Sequence, residues 1–169
     1  MWTCATCGDP HDGLATVFGP RAPHAWEQAT DSERASGELT ADLCAITVGD
    51  ETHFFVRGHL EIPITDSAGE SFVWSVWCSQ SRESMRLASQ HWEDPDRVTL
   101  PPTFGWLNSW LPYDTTILGL PTHVHTNAPG VVPRVVVDPS VDHPLVREQQ
   151  NGLTWHRVAE LNRRLLDGE

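Results

Sequence analysis

The chain has 169 residues, 39% of them hydrophobic and 20% charged, which describes a packed globule rather than a disordered polypeptide. Its formal net charge is −12, it has no Lys, and its Arg residues are dispersed, so the class of nucleic-acid-binding proteins is excluded because no basic stripe can neutralise phosphates. An apolar run of 18 residues and an N-terminal signal sequence are both missing, which predicts a cytoplasmic protein with no membrane partner.

A Cys-x-x-Cys-Gly turn at residues 4–8 is the first feature of the chain, and a polar helix is predicted after Pro23, over residues 25–35. No internal repeat or low-complexity tract interrupts the sequence, and Pro and Gly are spread along it. We therefore expect residues 1–169 to form a single domain with a zinc-knuckle-like turn at about residues 1–11.

Strand patterns fill the middle of the chain. Residues 43–48, 53–57 and 60–65 are predicted to be three strands of an antiparallel meander, and Gly58 is predicted to lie in the turn between the second and the third. Residues 71–78 alternate with bulky apolar side chains on both faces. This pattern predicts a central strand.

Helical and strand patterns both occur in the second half. Residues 81–92 show apolar side chains at helical spacing after Ser81, a good N-cap. Residues 122–126 and 134–138 are predicted as edge strands because Pro bounds them, and an amphipathic helix is predicted after Thr154. Without a regular βαβ alternation, we expect an α+β fold with an antiparallel sheet meander, an interspersed helix and a C-terminal amphipathic helix.

The N-terminal turn suggests a zinc site, because two thiolates at Cys-x-x-Cys spacing can hold one tetrahedral ion. Two further ligands must come from isolated residues, and the candidates are His11, Cys44, Cys78, His125 and His143. His11 is within reach along the chain, and Cys44 begins a strand that could return beside the N-terminus. The predicted ligands of a structural zinc are therefore Cys4, Cys7, His11 and Cys44; the alternatives are free thiols or redox chemistry.

A second metal hypothesis concerns histidines later in the chain. His123 and His125 lie on one face of a predicted strand, and Asp142 and His143 follow. A metal-dependent hydrolase using His125 and His143 with a carboxylate such as Asp142 is the competing functional class. The simpler interpretation is that these imidazoles make ordinary hydrogen bonds near a sheet edge.

Large aromatic side chains suggest a binding cleft. The Trp residues that could line one are Trp74, Trp77, Trp92, Trp106 and Trp110, although core packing explains the strand and helix members. The irregular segment 104–107 is the favoured location, and the predicted cleft residues are Trp106, His125 and His143. The common signatures of enzymes, including phosphate loops, dinucleotide fingerprints and Ser-based elbows, do not occur.

Several motifs together resemble a bacterial family known as domain of unknown function 2199. They are CATCG with His11, DLC at 42–44, FFVRGHLEIPI at 54–64, FVWSVW at 72–77, FGWL at 104–107, DHPL from 142 and EQQNG to 152. The resemblance covers most of the chain and implies a cytosolic bacterial protein, with no activity attached. Cys4, Cys7, His11, Cys44, His125 and His143 match the family pattern, whereas His123 departs from it.

We therefore expect a zinc-stabilised binding or accessory module with a small-molecule or protein partner, rather than a catalyst. The metal-dependent hydrolase is the first alternative. A protein-interaction or immunity-type module without metal is the second, and it would show a contiguous exposed apolar patch.

Overall fold

The structure is a computed structural model that describes residues 2–3 and 8–166. The strands are β1 (Trp2–Thr3), β2 (Pro10–His11), β3 (Val17–Phe18), β4 (Glu38–Leu39), β5 (Leu43–Val48), β6 (Glu51–Pro63), β7 (Ser71–Gln80), β8 (Thr103–Trp106), β9 (Pro121–His125) and β10 (Arg134–Val137). The helices are α1 (His24–Glu27), α2 (Asp31–Ser36), α3 (Arg82–Gln90), α4 (Pro144–Asn151) and α5 (Trp155–Leu166), with a 3₁₀ helix at Pro95–Thr99.

The predicted meander is present at the centre, where β5, β6 and β7 pair antiparallel in chain order. The two strands predicted at 53–57 and 60–65 are wrong as separate strands, because β6 runs without a break from Glu51 to Pro63. Gly58 is not in a turn: a Cβ there would lie 2.4 Å from Cγ2 of Val135. The missing side chain allows β10 to pack closely against β6.

The sheet is mixed, which corrects the expectation of an antiparallel sheet. Its path runs β3-β7-β6-β10-β9-β8, with β5 beside the first half of β6 and β4 beside β5. β3 is parallel to β7, and β10 is parallel to β6. Long chain segments separate the strands of both parallel pairs, as parallel pairing requires. The α+β class is confirmed.

The strands predicted at 122–126 and 134–138 exist as β9 and β10, but their predicted edge positions are wrong. β10 lies between β6 and β9, and β9 lies between β10 and β8. The prolines that suggested edges lie at the first position of β9 and just before β10. A Pro at a strand start removes no hydrogen bond from the middle of the ladder.

The β8 end of the strand path returns to β7, so the sheet curls round on itself. Leu107, just after β8, forms an isolated antiparallel bridge with Cys78 of β7. The Asn108 amide donates to the Trp77 carbonyl oxygen over 2.8 Å, and the Trp106 amide donates to Ser79 Oγ over 2.9 Å. Because the sheet curls, one of its faces is enclosed and the other points outward. We call them the inner face and the outer face.

Each face has its own apolar cluster. The inner face carries Leu60, Ile62, Trp74, Val76, Cys78, Val124 and Val135, packed with Leu145 of α4 and with Val158 and Leu161 of α5. The outer face carries Cys44, Ile46, Phe55 and Trp77, against which Trp26 of α1 packs. β7 therefore buries aromatic side chains on both faces, and its prediction as a central strand is confirmed.

The helices follow their capping residues. The helix predicted at 25–35 is divided into α1 and α2, because Thr30 starts a second helix through a reciprocal capping box with Glu33. Ser81 caps α3 and Thr154 accepts from the Arg157 amide at the start of α5, as predicted. α4, which the sequence did not predict, is capped by His143. None of the described helices is long and apolar enough to cross a membrane.

Candidate ligand-binding site

A small cavity of about 50 Å³ lies where α3 and the 3₁₀ helix cross the open end of the inner face. Its apolar wall consists of Leu43, Val56, Met85, Leu87, Ala88, Trp92, Leu100, Pro101, Val124 and Pro133. Its polar wall consists of Gln80, Ser84, His91, Arg97, Thr103 and Thr126. A mostly apolar space with a few convergent polar groups is the usual form of a small-molecule site.

The cavity exists because α3 does not pack tightly on the sheet. Its apolar side chains at helical spacing face inward, but no residue of α3 is buried. By contrast, α5, which covers another part of the same inner face, buries Val158, Ala159, Leu161 and Asn162. The loosely covered end of the curled sheet is therefore the end where a ligand has room.

Arg97 is the most unusual residue of this site. It belongs to the 3₁₀ helix, and only 5% of its surface is exposed. Its Nε donates to the Asn127 carbonyl oxygen and its Nη1 to the Trp92 carbonyl oxygen, both over 2.7 Å. The guanidinium carbon also lies 5.3 Å from the ring centroid of Trp92, within the range of a cation–π contact.

The positive charge of Arg97 has no paired anion among residues 2–3 and 8–166, where no carboxylate oxygen lies within 4.0 Å of its nitrogens. Its Nη2 makes no hydrogen bond to these residues. Every fully enclosed side-chain nitrogen and oxygen in the described residues has a partner, so Nη2 keeps some accessible surface. A buried charge without a counter-ion is costly.

An acidic side chain beside the site, Asp42, already has a partner. Asp42 borders an adjoining cavity of about 70 Å³ that Arg97 also lines. Its Oδ1 accepts from Nη2 of Arg57 over 3.0 Å, in an ion pair on the outer face. Asp42 therefore neutralises Arg57, and the contacts of the Arg97 guanidinium are two carbonyl oxygens and the face of the Trp92 ring.

His91 and Asp94 form a second polar pair at the cavity. The Asp94 Oδ2 lies 2.9 Å from His91 Nδ1, and its Oδ1 accepts from the Asp96 amide over 2.9 Å. The hydrogen bond to His91, followed by that to the Asp96 amide, lowers the pKa of the Asp94 carboxyl. Asp94 is therefore ionised at neutral pH and holds the imidazole by one nitrogen.

The predicted cleft around Trp106 is a different and shallower groove of about 400 Å³ on the outside of β8, where it is lined by Phe104, Trp106 and residues of β6 and β7. Trp106 is 50% exposed and stacks edge to face on Phe104 at 4.9 Å between ring centroids. The other two predicted cleft residues, His125 and His143, do not line this groove.

His125 and His143 lie on opposite sides of the sheet. His125 pairs with Arg134 on the outer face, and its pKa is lowered by partial burial, by Arg134 and by His123. His143 is buried beside Tyr113, which is in contact with the inner-face cluster. Its Nδ1 accepts from the Leu145 amide over 3.0 Å, and its Nε2 lies 3.1 Å from the Thr115 carbonyl oxygen.

The metal-dependent hydrolase hypothesis requires His143 as a metal ligand, and His143 is not available for this role. Both ring nitrogens of His143 are used in hydrogen bonds that fix the start of α4, so neither has a lone pair available for a metal ion. Within the described part of the chain, no group of three or more His, Cys, Asp and Glu side chains could hold a metal ion. The ordinary hydrogen-bonding interpretation is correct for His143.

The predicted zinc ligands are only partly within the described residues. Cys4 and Cys7 lie outside them, as does the side chain of His11, whose backbone is in β2. Cys44 is buried in the outer-face cluster, and this burial raises its pKa to about 11. Its thiol is therefore held in a neutral, apolar setting. The zinc site stays a prediction.

Sequence reasoning missed Arg97, His91 and Asp94. The segment that contains them, residues 91–97, has three acidic residues and a Pro, a composition typical of an exposed turn. Asp94 before Pro95 is a recognisable cap of a short helix, and that signal was present in the sequence. Nothing local indicates that the arginine after this cap is buried, since its cover comes from residues 124–133.

Comparison with known proteins identifies the family. The family model described as "Uncharacterized protein conserved in bacteria (DUF2199)" matches residues 3–153, a range that includes every residue of the cavity. No curated protein and no solved structure matches the chain. The match covers most of the chain and agrees with the motif-based resemblance. The chain therefore belongs to the DUF2199 family of proteins conserved in bacteria.

Proposed function

We propose that this protein is a binding module for a small organic anion, formed by a single domain of residues 1–169. The apolar part of the ligand occupies the cavity under α3, and its anionic group pairs with Arg97. The observation that carries this proposal is the buried guanidinium, 5% exposed, without a carboxylate partner in the described residues.

The charge argument favours a carboxylate or a similar planar anion. Two nitrogens of Arg97 are used by carbonyl oxygens of the protein, which leaves Nη2 for a ligand. A hydrogen bond between two charged groups is worth about 1.5–3 kcal/mol, more than a neutral one. A bound anion would also neutralise the charge that folding has buried.

The size of the cavity favours a compact apolar body. A cavity needs about 10–15 Å³ to hold one water molecule. The cavity of 50 Å³ therefore has room for roughly four groups the size of a water molecule or a methyl group. A short branched chain fits this volume. A longer ligand would have to displace α3, which no buried side chain anchors.

The proposal is tested by comparing an acid with its amide. We expect isovalerate, measured by calorimetric titration, to bind at least about tenfold more tightly than isovaleramide, because a single charged contact contributes about 1.4 kcal/mol or more. Arg97→Gln should abolish this preference and Arg97→Lys should retain part of it. Arg134→Gln removes an exposed arginine of the outer face and is the matched control.

Two results would overturn this proposal. One is equal affinity of the wild-type protein for the acid and the amide. The other is an Arg97→Gln variant that melts cooperatively and binds isovalerate as tightly as the wild type does. Circular dichroism of each variant provides the folding control.

We also propose that the N-terminal turn binds a structural zinc ion through Cys4 and Cys7. Gly8, the residue after the second cysteine, has φ +75°, a left-handed conformation that suits the Gly of such a turn. We expect freshly purified protein to contain one zinc ion per chain, and a Cys4→Ser, Cys7→Ser double variant to contain none. Retention of full zinc content by the double variant would refute the site.

A further inference from the structure

His91 and Asp94 have the arrangement of a general base and its positioning residue. Asp94 is fixed from two sides, since one carboxylate oxygen accepts from the Asp96 amide and the other contacts Nδ1 of His91 at 2.9 Å. An ionised carboxylate only accepts hydrogen bonds, so Nδ1 carries the proton. The lone pair of the imidazole is therefore on Nε2.

The second ring nitrogen of His91 is available for chemistry. Nε2 has no hydrogen-bond partner in residues 2–3 and 8–166. The His91 side chain is 36% exposed, so water reaches it, and the same residue lines the apolar cavity. Among the described residues that line the cavity, His91 and Arg97 are the only ionisable ones, and Asp94 is the charged group in contact with the imidazole.

We infer that the cavity hydrolyses esters of small carboxylic acids, with His91 as the general base. This inference rests on the proposed function, because the acyl chain occupies the space assigned to the apolar body of the ligand. Arg97 supplies positive charge where the acyl oxygen becomes negative, and electrostatic stabilisation of this kind often contributes more than any other effect to the rate of an enzymatic reaction.

The reaction is a simple hydrolysis. His91 Nε2 takes a proton from water as the water oxygen bonds to the acyl carbon, and the carbonyl oxygen becomes an oxyanion. The carbon–oxygen bond to the alcohol then breaks, and the alkoxide leaves with the proton from His91. The products are the alcohol and the carboxylic acid, whose ionised form is the anion that Arg97 is proposed to bind.

The test uses the full-length protein and the p-nitrophenyl ester of isovaleric acid. We expect His91→Gln to lower kcat by about 100-fold or more, the usual contribution of a general base. Asp94→Asn should lower kcat and displace the pH profile, and Asp94→Glu should restore part of both. His53→Gln is the matched control, because His53 is a half-exposed imidazole 3.9 Å from a carboxylate and lies outside the cavity.

Binding and hydrolysis are read separately in the same variants. If His91→Gln binds isovalerate like the wild type and has lost hydrolysis, both proposals are supported. If the wild type binds isovalerate through Arg97 but hydrolyses no ester, or if His91→Gln and His53→Gln hydrolyse it equally well, the catalytic inference is wrong and the binding function stands. If hydrolysis depends on His91 while acid and amide bind alike, the anion-binding function fails instead.

Discussion

The backbone of Gly105 in β8 lies directly against the carbonyl oxygen of Ser79 in β7, so close that a Cβ at position 105 would be 2.1 Å from that oxygen. This approach occurs where the curled sheet meets itself, beside the bridge between Leu107 and Cys78. Because the obstacle is backbone rather than a flexible side chain, the sheet cannot close in the same way around a larger residue.

Gly105→Ala should therefore destabilise the protein strongly, by about 2–4 kcal/mol, since the clash must be relieved by moving β8 away from β7. Urea denaturation monitored by circular dichroism measures the loss. Gly49→Ala is the control: Gly49 has φ +63° with open space around its Cβ position, so only the backbone conformation is strained. We expect it to cost about 1 kcal/mol, and equal costs for the two variants would contradict the steric explanation.

Tyr113 lies in a half-buried chain of hydrogen bonds that joins the sheet to two helices. Its hydroxyl accepts from the Trp74 indole over 3.1 Å and donates to Glu148 of α4, which in turn binds Arg157 of α5. Tyr113→Phe leaves the Trp74 donor and one carboxylate oxygen without their partner. We expect a loss of about 2 kcal/mol in the free energy of unfolding, and a double-mutant cycle with Glu148→Gln should show strong coupling rather than additivity.

The ionisation of Tyr113 provides a spectroscopic test of the same contact. Burial, and next the charge of Glu148, raise the pKa of this phenol. Tyr113 is the only tyrosine of the chain, so tyrosinate absorbance reports on it alone. In an alkaline titration we expect the absorbance to rise only together with unfolding. Ionisation of the native protein near the ordinary tyrosine pKa would show that the phenol is not enclosed.

His143 should be a structural residue that holds the start of α4. His143→Ala removes the acceptor of the buried Leu145 amide and the contact with Thr115, at a cost of about 2 kcal/mol. His143→Asn keeps a side-chain acceptor at the N-cap and should recover part of this stability in thermal melts. Complete loss of ligand binding or hydrolysis in a stably folded His143→Asn variant would instead indicate a direct functional role.

Alkaline pH should weaken the fold through Cys78. Burial raises its pKa to about 12 in the folded protein, whereas the unfolded chain releases this proton near the ordinary value of 9.0. The folded state then holds more protons than the unfolded state, so stability falls as pH rises through 9. Between pH 8 and pH 10 this thiol should account for a loss of about 1.4 kcal/mol. Denaturation curves of Cys78→Ala should lack this part of the decline; an identical decline would contradict the assignment.

Local patterns in the sequence were sufficient for several elements of this fold. The caps at Ser81 and Thr154 and the alternation in β7 depend on neighbours in the chain, and these predictions are confirmed. Gly58 shows the limit of such reasoning. A glycine between two apolar runs suggests a turn, but here its missing side chain makes room for Val135, which is 77 positions away and whose location no local pattern reveals.

The candidate site was predicted less well because it, too, depends on contacts between residues that are far apart in the chain. The histidines and tryptophans that suggested chemistry are spread over both faces of the sheet, and His125 and His143 lie on opposite faces. Arg97, by contrast, lies in a segment with the composition of a surface turn and becomes buried only when residues far along the chain cover it. Its burial depends on tertiary packing, which the composition of the segment does not indicate.

The closure of the sheet also affects whether copies of this protein associate with one another. Within the described residues, the strand path ends at the two-residue strand β3 on one side and returns to β7 through Leu107 on the other, and the short β4 covers part of β5. Long, flat, unpaired strands are the usual templates for intermolecular strand addition. A sheet with such short edge strands has few consecutive unpaired backbone N–H and C=O groups. Concentrated solutions of the folded protein should therefore resist assembly into fibrils.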